Sequence, residues 1–125
     1  MNIIISNNSA KPIYEQVKEG IKQAIFSHEL CEGEILPSVR SMANELKISF
    51  LTVKKAYDEL ETEGFIETIQ GKGSFVLPQN LEMIKEEKLC QIQKHMEEIA
   101  HIAQVSNITK EEIQELWKIV FKEVL

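Results

Sequence analysis

Residues 36–57 constrain the fold of this chain more than any other stretch, because they encode two short capped helices around a tight turn. Ser38 stands where an N-cap residue accepts a hydrogen bond from the first turn of a helix. Val39, Met42, Ala43 and Leu46 follow at the spacing of one inward stripe. Lys47-Ile48 makes the turn. Ser49 then caps a second helix in which Val53, Ala56, Tyr57 and Leu60 recur at i, i+3, i+4 and i+7, a single buried face. At about 100° per residue, Leu51 and Lys55 point directly away from that face, and Thr52 and Lys54 lie on its flanks.

The flanking sequence completes a domain around this pair. Upstream, Pro12 suits the first turn of a helix, and Ile13, Val17, Ile21, Ala24 and Ile25 keep helical spacing to about Ser27. An extended arm with a polar linker precedes it (residues 1–10), and residues 28–37 form a connection. Downstream, Gly64 is a natural C′ glycine. Residues 65–69 and 74–77 read as strands joined by Gln70-Gly71-Lys72-Gly73, a glycine-containing hairpin loop. Three helices and a hairpin in this order predict a winged helix-turn-helix over residues 1–78, closed by Pro78-Gln79-Asn80.

Residues 79–125 form a different kind of segment. Leu81, Ile84, Ile92, Met96, Ile99 and Ala103 trace a long amphipathic helix ending near Val105. Thr109-Lys110-Glu111-Glu112 has the spacing of a capping box. It opens a last helix with Ile113, Leu116, Trp117, Val120, Phe121 and Val124 on one side. The expected fold is therefore α+β: an N-terminal winged helix-turn-helix followed by a short two-helix tail.

Charge bears on what such a fold can bind. The net charge is −6, and residues 1–78 hold 8 basic against 11 acidic side chains, so bulk electrostatics do not predict a nucleic-acid partner. Distribution does. Arg40, Lys47, Lys54 and Lys55 oppose only Glu45 between residues 38 and 55, and Lys72 sits at the hairpin tip. The acids gather elsewhere, at Glu29, Glu32 and Glu34 and at Asp58, Glu59, Glu61 and Glu63. One face can be basic on an acidic body, and its affinity for random DNA should be weak and salt-sensitive.

At this point the chain resembles a known family. Pro12-Ile13-Tyr14-Glu15-Gln16-Val17, Leu36-Pro37-Ser38-Val39-Arg40, Thr52-Val53-Lys54-Lys55-Ala56-Tyr57, Glu63-Gly64-Phe65-Ile66 and Gly71-Lys72-Gly73-Ser74-Phe75-Val76 look like the DNA-binding domain of GntR-family transcription regulators. The short helical tail is similar to that of the YtrA-type subfamily. The resemblance implies a sequence-specific DNA-binding regulator, a repressor, acting as a homodimer on a two-fold operator.

The expected DNA-contacting residues are Ser38, Arg40, Ser49, Phe50, Leu51, Thr52, Lys54, Lys55, Gln70, Gly71 and Lys72. The start of the second helix would set backbone N–H groups and a positive dipole end beside phosphates. Arg40, the only arginine of the chain, can bind phosphate or the O6/N7 edge of guanine bidentately. Its position matches the arginine that contacts DNA in the family. Glycines let the wing backbone approach the duplex, with Lys72 meeting phosphate or the minor groove. Phe50 departs from the family, which usually has arginine after the capping residue. Two arrangements stand open: Phe50 or Leu51 against thymine methyls, or Phe50 leaning on the core.

The tail is expected to dimerise, because two helices cannot bury their apolar faces alone. Ile92, Met96, Ile99, Ile113, Leu116, Trp117, Val120, Phe121 and Val124 are its interface candidates. Residues 83–96 and the last helix also leave space for an apolar pocket, so a small-molecule effector is a further expected partner. No cofactor, metal or catalytic group is expected: His28, His95 and His101 assemble no site, and Cys31 and Cys90 read as reduced thiols. No run is long enough to span a membrane, and the opening lacks a signal-peptide core, so the expected location is the cytoplasm. The competing assignment is a protein-interaction module that uses the winged fold only as a scaffold.

Overall fold

In the computed structural model, which describes the backbone of residues 1–124 and the side chains of residues 1–122, the chain forms two compact units, Met1–Asn80 and Leu81–Leu125. The first contains α1 (Ile13–Phe26), α2 (Val39–Leu46), α3 (Phe50–Thr62), β1 (Ile66–Ile69) and β2 (Gly73–Val76). The second contains α4 (Leu81–Val105) and α5 (Lys110–Val124).

α3 is the centre of the first unit, packed by α1, α2 and β1. Its predicted inward face is buried: Val53, Ala56 and Leu60 are fully inaccessible and Tyr57 is 3% exposed. Val17 and Ile21 of α1, Met42 and Ala43 of α2, Ile66 and Val76 of the hairpin close around it. Both ends of α3 are fixed by short-range chemistry. Ser49 Oγ accepts from the Thr52 N–H at 3.1 Å. At the other end the Phe65 N–H reaches the Leu60 carbonyl and the Gly64 N–H the Glu61 carbonyl, with Gly64 at φ 86°. This double closure needs the left-handed conformation that glycine adopts without a Cβ penalty. Lys47 ends α2 at φ 58°, an uncommon conformation for a lysine, and the Ile48 N–H caps back to the Ala43 carbonyl.

The hairpin pairs Ile66 with Val76 and Ile69 with Gly73. β2 therefore begins at Gly73, and Phe65 and Leu77 fall outside the strands, although the Leu77 N–H still donates to the Phe65 carbonyl. The segment expected to be only a connection does more. Ile35 forms an isolated bridge with Phe75, and N–H to carbonyl bonds run from Gly33 to Val76, Leu36 to Ser74 and Val76 to Glu34, so this segment is bonded along the free edge of β2. The N-terminal arm is likewise structural. Met1, Ile3 and Ile5 alternate onto the core while Ile4 stays 88% exposed. A Cβ at Gly20 would lie 2.8 Å from Ile3 Cγ1, so this glycine lets the arm lie directly on α1. Gln16 holds the arm's return, bonding both the amide and the carbonyl of Ser6 and the carbonyl of Lys11.

Among its described residues the second unit buries no side chain. No residue of α4 is buried, and Leu89, Ile92, Met96, Ile99, Ile102, Leu116, Trp117, Val120 and Phe121 are between 38% and 57% exposed. Ile113 is half-buried, and the Val124 side chain lies outside the described residues. Asn107 at φ 54° and the Ile108 N–H bond to the Ala103 carbonyl end α4. Thr109 Oγ1 accepts from the Glu112 N–H to start α5.

Acids late in α3 are neutralised from α1. Lys18 Nζ meets Glu59 at 2.8 Å and Glu63 at 2.5 Å, and Lys22 Nζ meets Glu63 at 2.7 Å. Burial pushes the Glu63 carboxyl up, but the hydrogen bonds from Lys18 and Lys22 outweigh it and hold the group below the usual carboxylate range. A depressed carboxylate stabilises the fold above its unfolded pKa, about 4.3 for glutamate, and loses that contribution as pH falls through the folded value. The thermal midpoint of Glu63→Gln should therefore lie below that of the natural chain at neutral pH, and the gap should close in acid. A gap independent of pH would assign the effect to packing instead.

Candidate nucleic-acid interface

α3 buries one face, so the opposite face is presented to solvent with little freedom of orientation. Leu51 on its first turn is 74% exposed and Phe50 46%. Phe50 is not among the buried core residues, and close to half of it meets solvent. Ser49 Oγ and Thr52 Oγ1 lie 2.6 Å apart while Ser49 also accepts the Thr52 N–H. Both hydroxyls thus serve the cap, and one hydroxyl proton remains to donate outward. The Phe50 and Leu51 amides sit at the positive end of the helix, where an anion is favoured.

The cations differ in their attachments. Lys54 pairs with Asp58 at 2.9 Å, but both are more than half exposed, and such a pair contributes roughly 0–1 kcal/mol. Its release to another anion costs little. Lys55 Nζ sits 4.0 Å above the centre of the Tyr14 ring, which joins the start of α1 to the outward face of α3. Arg40, Lys47 and Lys72 have no ion pair among the described residues, and all three are exposed. Tyr14 was assigned no role from sequence. It faces a residue far along the chain, and no local spacing signals that contact.

Arg40 is placed by the start of α2. Ser38 Oγ accepts from the Ser41 N–H at 3.0 Å. Buried Tyr57 of α3 donates its phenol to the Pro37 carbonyl at 2.7 Å, and burial pushes its pKa well above the ordinary value. The bond ties α3 to the residue preceding the α2 cap, so the two helices are held in one arrangement. At the wing, the Lys72 N–H closes a turn onto the Ile69 carbonyl at 2.9 Å, with Gly71 at φ 80°. Gly73 takes φ 111° beside Ile35, whose Cδ1 would be 3.1 Å from an added Cβ. The bridged segment around Ile35 therefore braces the base of the wing, and Gln70, Gly71 and Lys72 project exposed beyond it.

In the second unit an apolar groove of about 560 Å³ runs between α4 and α5, lined by Met96, Ile99, Ala103, Ile108, Ile113 and Trp117, among others. The expected pocket along residues 83–96 is thus moved: only Met96 of that segment lines it, because the helices face each other near the turn that joins them. The Trp117 and Phe121 rings are 4.5 Å apart. Among the described residues there is no cluster of three metal-ligating side chains, and no helix is long and apolar enough to cross a membrane. Cys31 and Cys90 are free thiols, both exposed.

The Lys55 contact has a direct signature. The Tyr14 ring current should move the Lys55 side-chain methylene resonances upfield; Tyr14→Phe should keep the shift and Tyr14→Leu abolish it. The lost contact should lower stability by roughly 0.5–1 kcal/mol. Unshifted methylenes in the natural chain would show that Lys55 samples solvent freely.

Comparison with known proteins agrees with this architecture. The family model described as bacterial regulatory proteins, gntR family, matches residues 13–76. The HTH-type transcriptional repressor YtrA of Bacillus subtilis is 32% identical over 98% of this chain and 94% of its own length. A crystal structure of a transcriptional antiterminator from Listeria monocytogenes EGD-e superposes with a TM-score of 0.71 at 31% identity, covering 99% of this chain and 92% of that one. The DNA-binding domain of AraR, solved in complex with operator ORX1, gives a TM-score of 0.55 at 25% identity over 61% of this chain and 95% of that one. The family and these relatives are transcription regulators, not enzymes. The chain belongs to the GntR family of bacterial regulatory proteins and, with a similarity to YtrA that extends through the tail, to its YtrA-type subfamily.

Proposed function

We propose that this regulator is a cytoplasmic homodimer that binds a two-fold DNA operator through α3, the start of α2 and the wing, and represses transcription by occupying it. The observation that carries the proposal is the outward face of α3. It combines a capped helix N-terminus, exposed side chains on its first turn and cations that no buried acid holds. The N-terminal residues of a recognition helix are those that meet base edges in the major groove. Ser38, Ser49 and Thr52 supply hydroxyls, and Arg40 is the group able to grip guanine bidentately. Lys54, Lys55, Gln70, Gly71 and Lys72 follow the backbone. The AraR domain seen on its operator supports DNA as the partner.

The second unit supports a homodimer. Its apolar residues have no interior to enter, and a second copy supplies the missing surface. An isologous pair of tails would present two recognition helices related by two-fold symmetry. The groove between α4 and α5 lies within the size range of small-molecule sites, about 300–1,000 Å³. An effector seated there would act on operator binding through the geometry of the tail. The net charge of −6 favours the competing module without specific DNA binding. The two separate when purified protein is used to retain genomic fragments over a salt series: a regulator enriches defined fragments, and a protein-interaction module enriches none.

Two further outcomes follow. Sedimentation should give a dimer for the full chain and a monomer after removal of the residues beyond Pro78; an unchanged state would place the interface in the winged domain. Arg40→Ala should narrow the gap between operator and random DNA by ~1–3 kcal/mol. Lys72→Ala should weaken both alike and flatten the salt slope by about one unit. If Arg40→Ala behaved as Lys72→Ala does, Arg40 would be a phosphate contact.

A further inference from the structure

We infer that Leu51 is a specificity-determining residue that packs on the C5-methyl group of one thymine in each half-site, an inference that rests on the DNA-binding function proposed above. Leu51 is 74% exposed, and no part of its own domain covers it. It lies on the first turn of α3, about 170° around the helix from the buried face, and shares its outward side with Lys55. The cap fixes this placement, because Ser49 holds the Thr52 amide immediately after it. Leu51 also borders a shallow depression of about 390 Å³ shared with Ile13, Tyr14, Thr52 and Lys55.

The surroundings select the occupant. Lys54 and Lys55 follow Leu51 by three and four residues on α3, so cations flank this apolar side chain, and what covers it carries negative charge and offers an apolar group between charges. In a duplex, the major-groove edge offers one such group, the thymine methyl. Leucine has no donor or acceptor, so it cannot read the N7 and O6 atoms of guanine or the N6 amine of adenine. It discriminates thymine from cytosine by the presence of the methyl, and the half-site should carry a T·A pair beneath the first turn of α3. Phe50, about 100° round the helix, lies beside that contact rather than on its axis.

The experiment replaces thymines of a selected operator one at a time by deoxyuridine, which keeps the pairing and O4 and removes only the methyl. Affinities are measured for the natural chain, Leu51→Ala and Phe50→Ala, all full length. At one thymine per half-site, deoxyuridine should weaken the natural chain about fourfold, the equivalent of the ~0.8 kcal/mol of one buried methylene-sized group. Leu51→Ala should bind the thymine and deoxyuridine operators equally, and Phe50→Ala should retain the difference. Three results overturn the inference while leaving DNA binding intact: no sensitive position, a loss that persists in Leu51→Ala, or a loss that vanishes only in Phe50→Ala. Failure to select any fragment above random DNA overturns the DNA-binding proposal itself, and this inference with it.

Discussion

Burial of one face of α3 is the constraint on which the rest of the winged domain depends. Val53, Ala56, Tyr57 and Leu60 are all but inaccessible, and residues from α1, α2 and the hairpin close around them. A face buried this completely fixes the rotation of the helix about its own axis. The orientation of Leu51, Lys55 and Thr52 is then a consequence of hydrophobic packing. The Tyr57 phenol on the Pro37 carbonyl extends the same control to α2, and so to Arg40. Tyr57→Phe would leave the half-buried Pro37 carbonyl without this donor, at a cost of roughly 0.5–1.5 kcal/mol.

The charge distribution follows from the same packing. An acidic protein binds DNA only if its acids are turned away or occupied. Here α1 occupies two of them: Lys18 and Lys22 hold Glu59 and Glu63 at the end of α3 remote from the Ser49 cap. The lysines of α1 thereby tie α1 to the end of α3. In the winged domain the cations without an ion pair among the described residues are Arg40 and Lys47 around α2, Lys55 on α3 and Lys72 at the wing tip, with Lys54 held only by exposed Asp58. Net charge misleads in this chain because it counts paired and unpaired groups alike.

Much of the winged domain was legible in the sequence wherever a local rule governs it. The α3 face follows from helical spacing, and the Ser38 and Ser49 caps and the Gly64 stop from residue type. The outward direction of Leu51 also follows from spacing alone. What escaped depends on residues far apart in the chain. Ile35 pairs with Phe75 through backbone groups that any residue carries, so nothing in residues 28–37 announced this bridge. Ile3 lies on Gly20, and Lys55 lies over Tyr14, both by tertiary placement. The half-exposure of Phe50 could not be read from its helical angle, which left the core and solvent both within reach. In the tail, the stripes on α4 and α5 were visible, but where the two helices approach each other depends on the turn at Asn107.

The two units use apolar surface in opposite ways. The winged domain buries its own and holds a rigid face outward, whereas the tail leaves its apolar side chains for another surface. The proposal assigns DNA recognition to the first unit, and the most direct test is a backbone amide chemical-shift map recorded while operator DNA is titrated into the full chain. The account predicts that the largest changes fall in residues 38–55 and 70–72, with α4 and α5 little affected. Changes concentrated in the tail, or an α3 first turn left unchanged by operator, would contradict it.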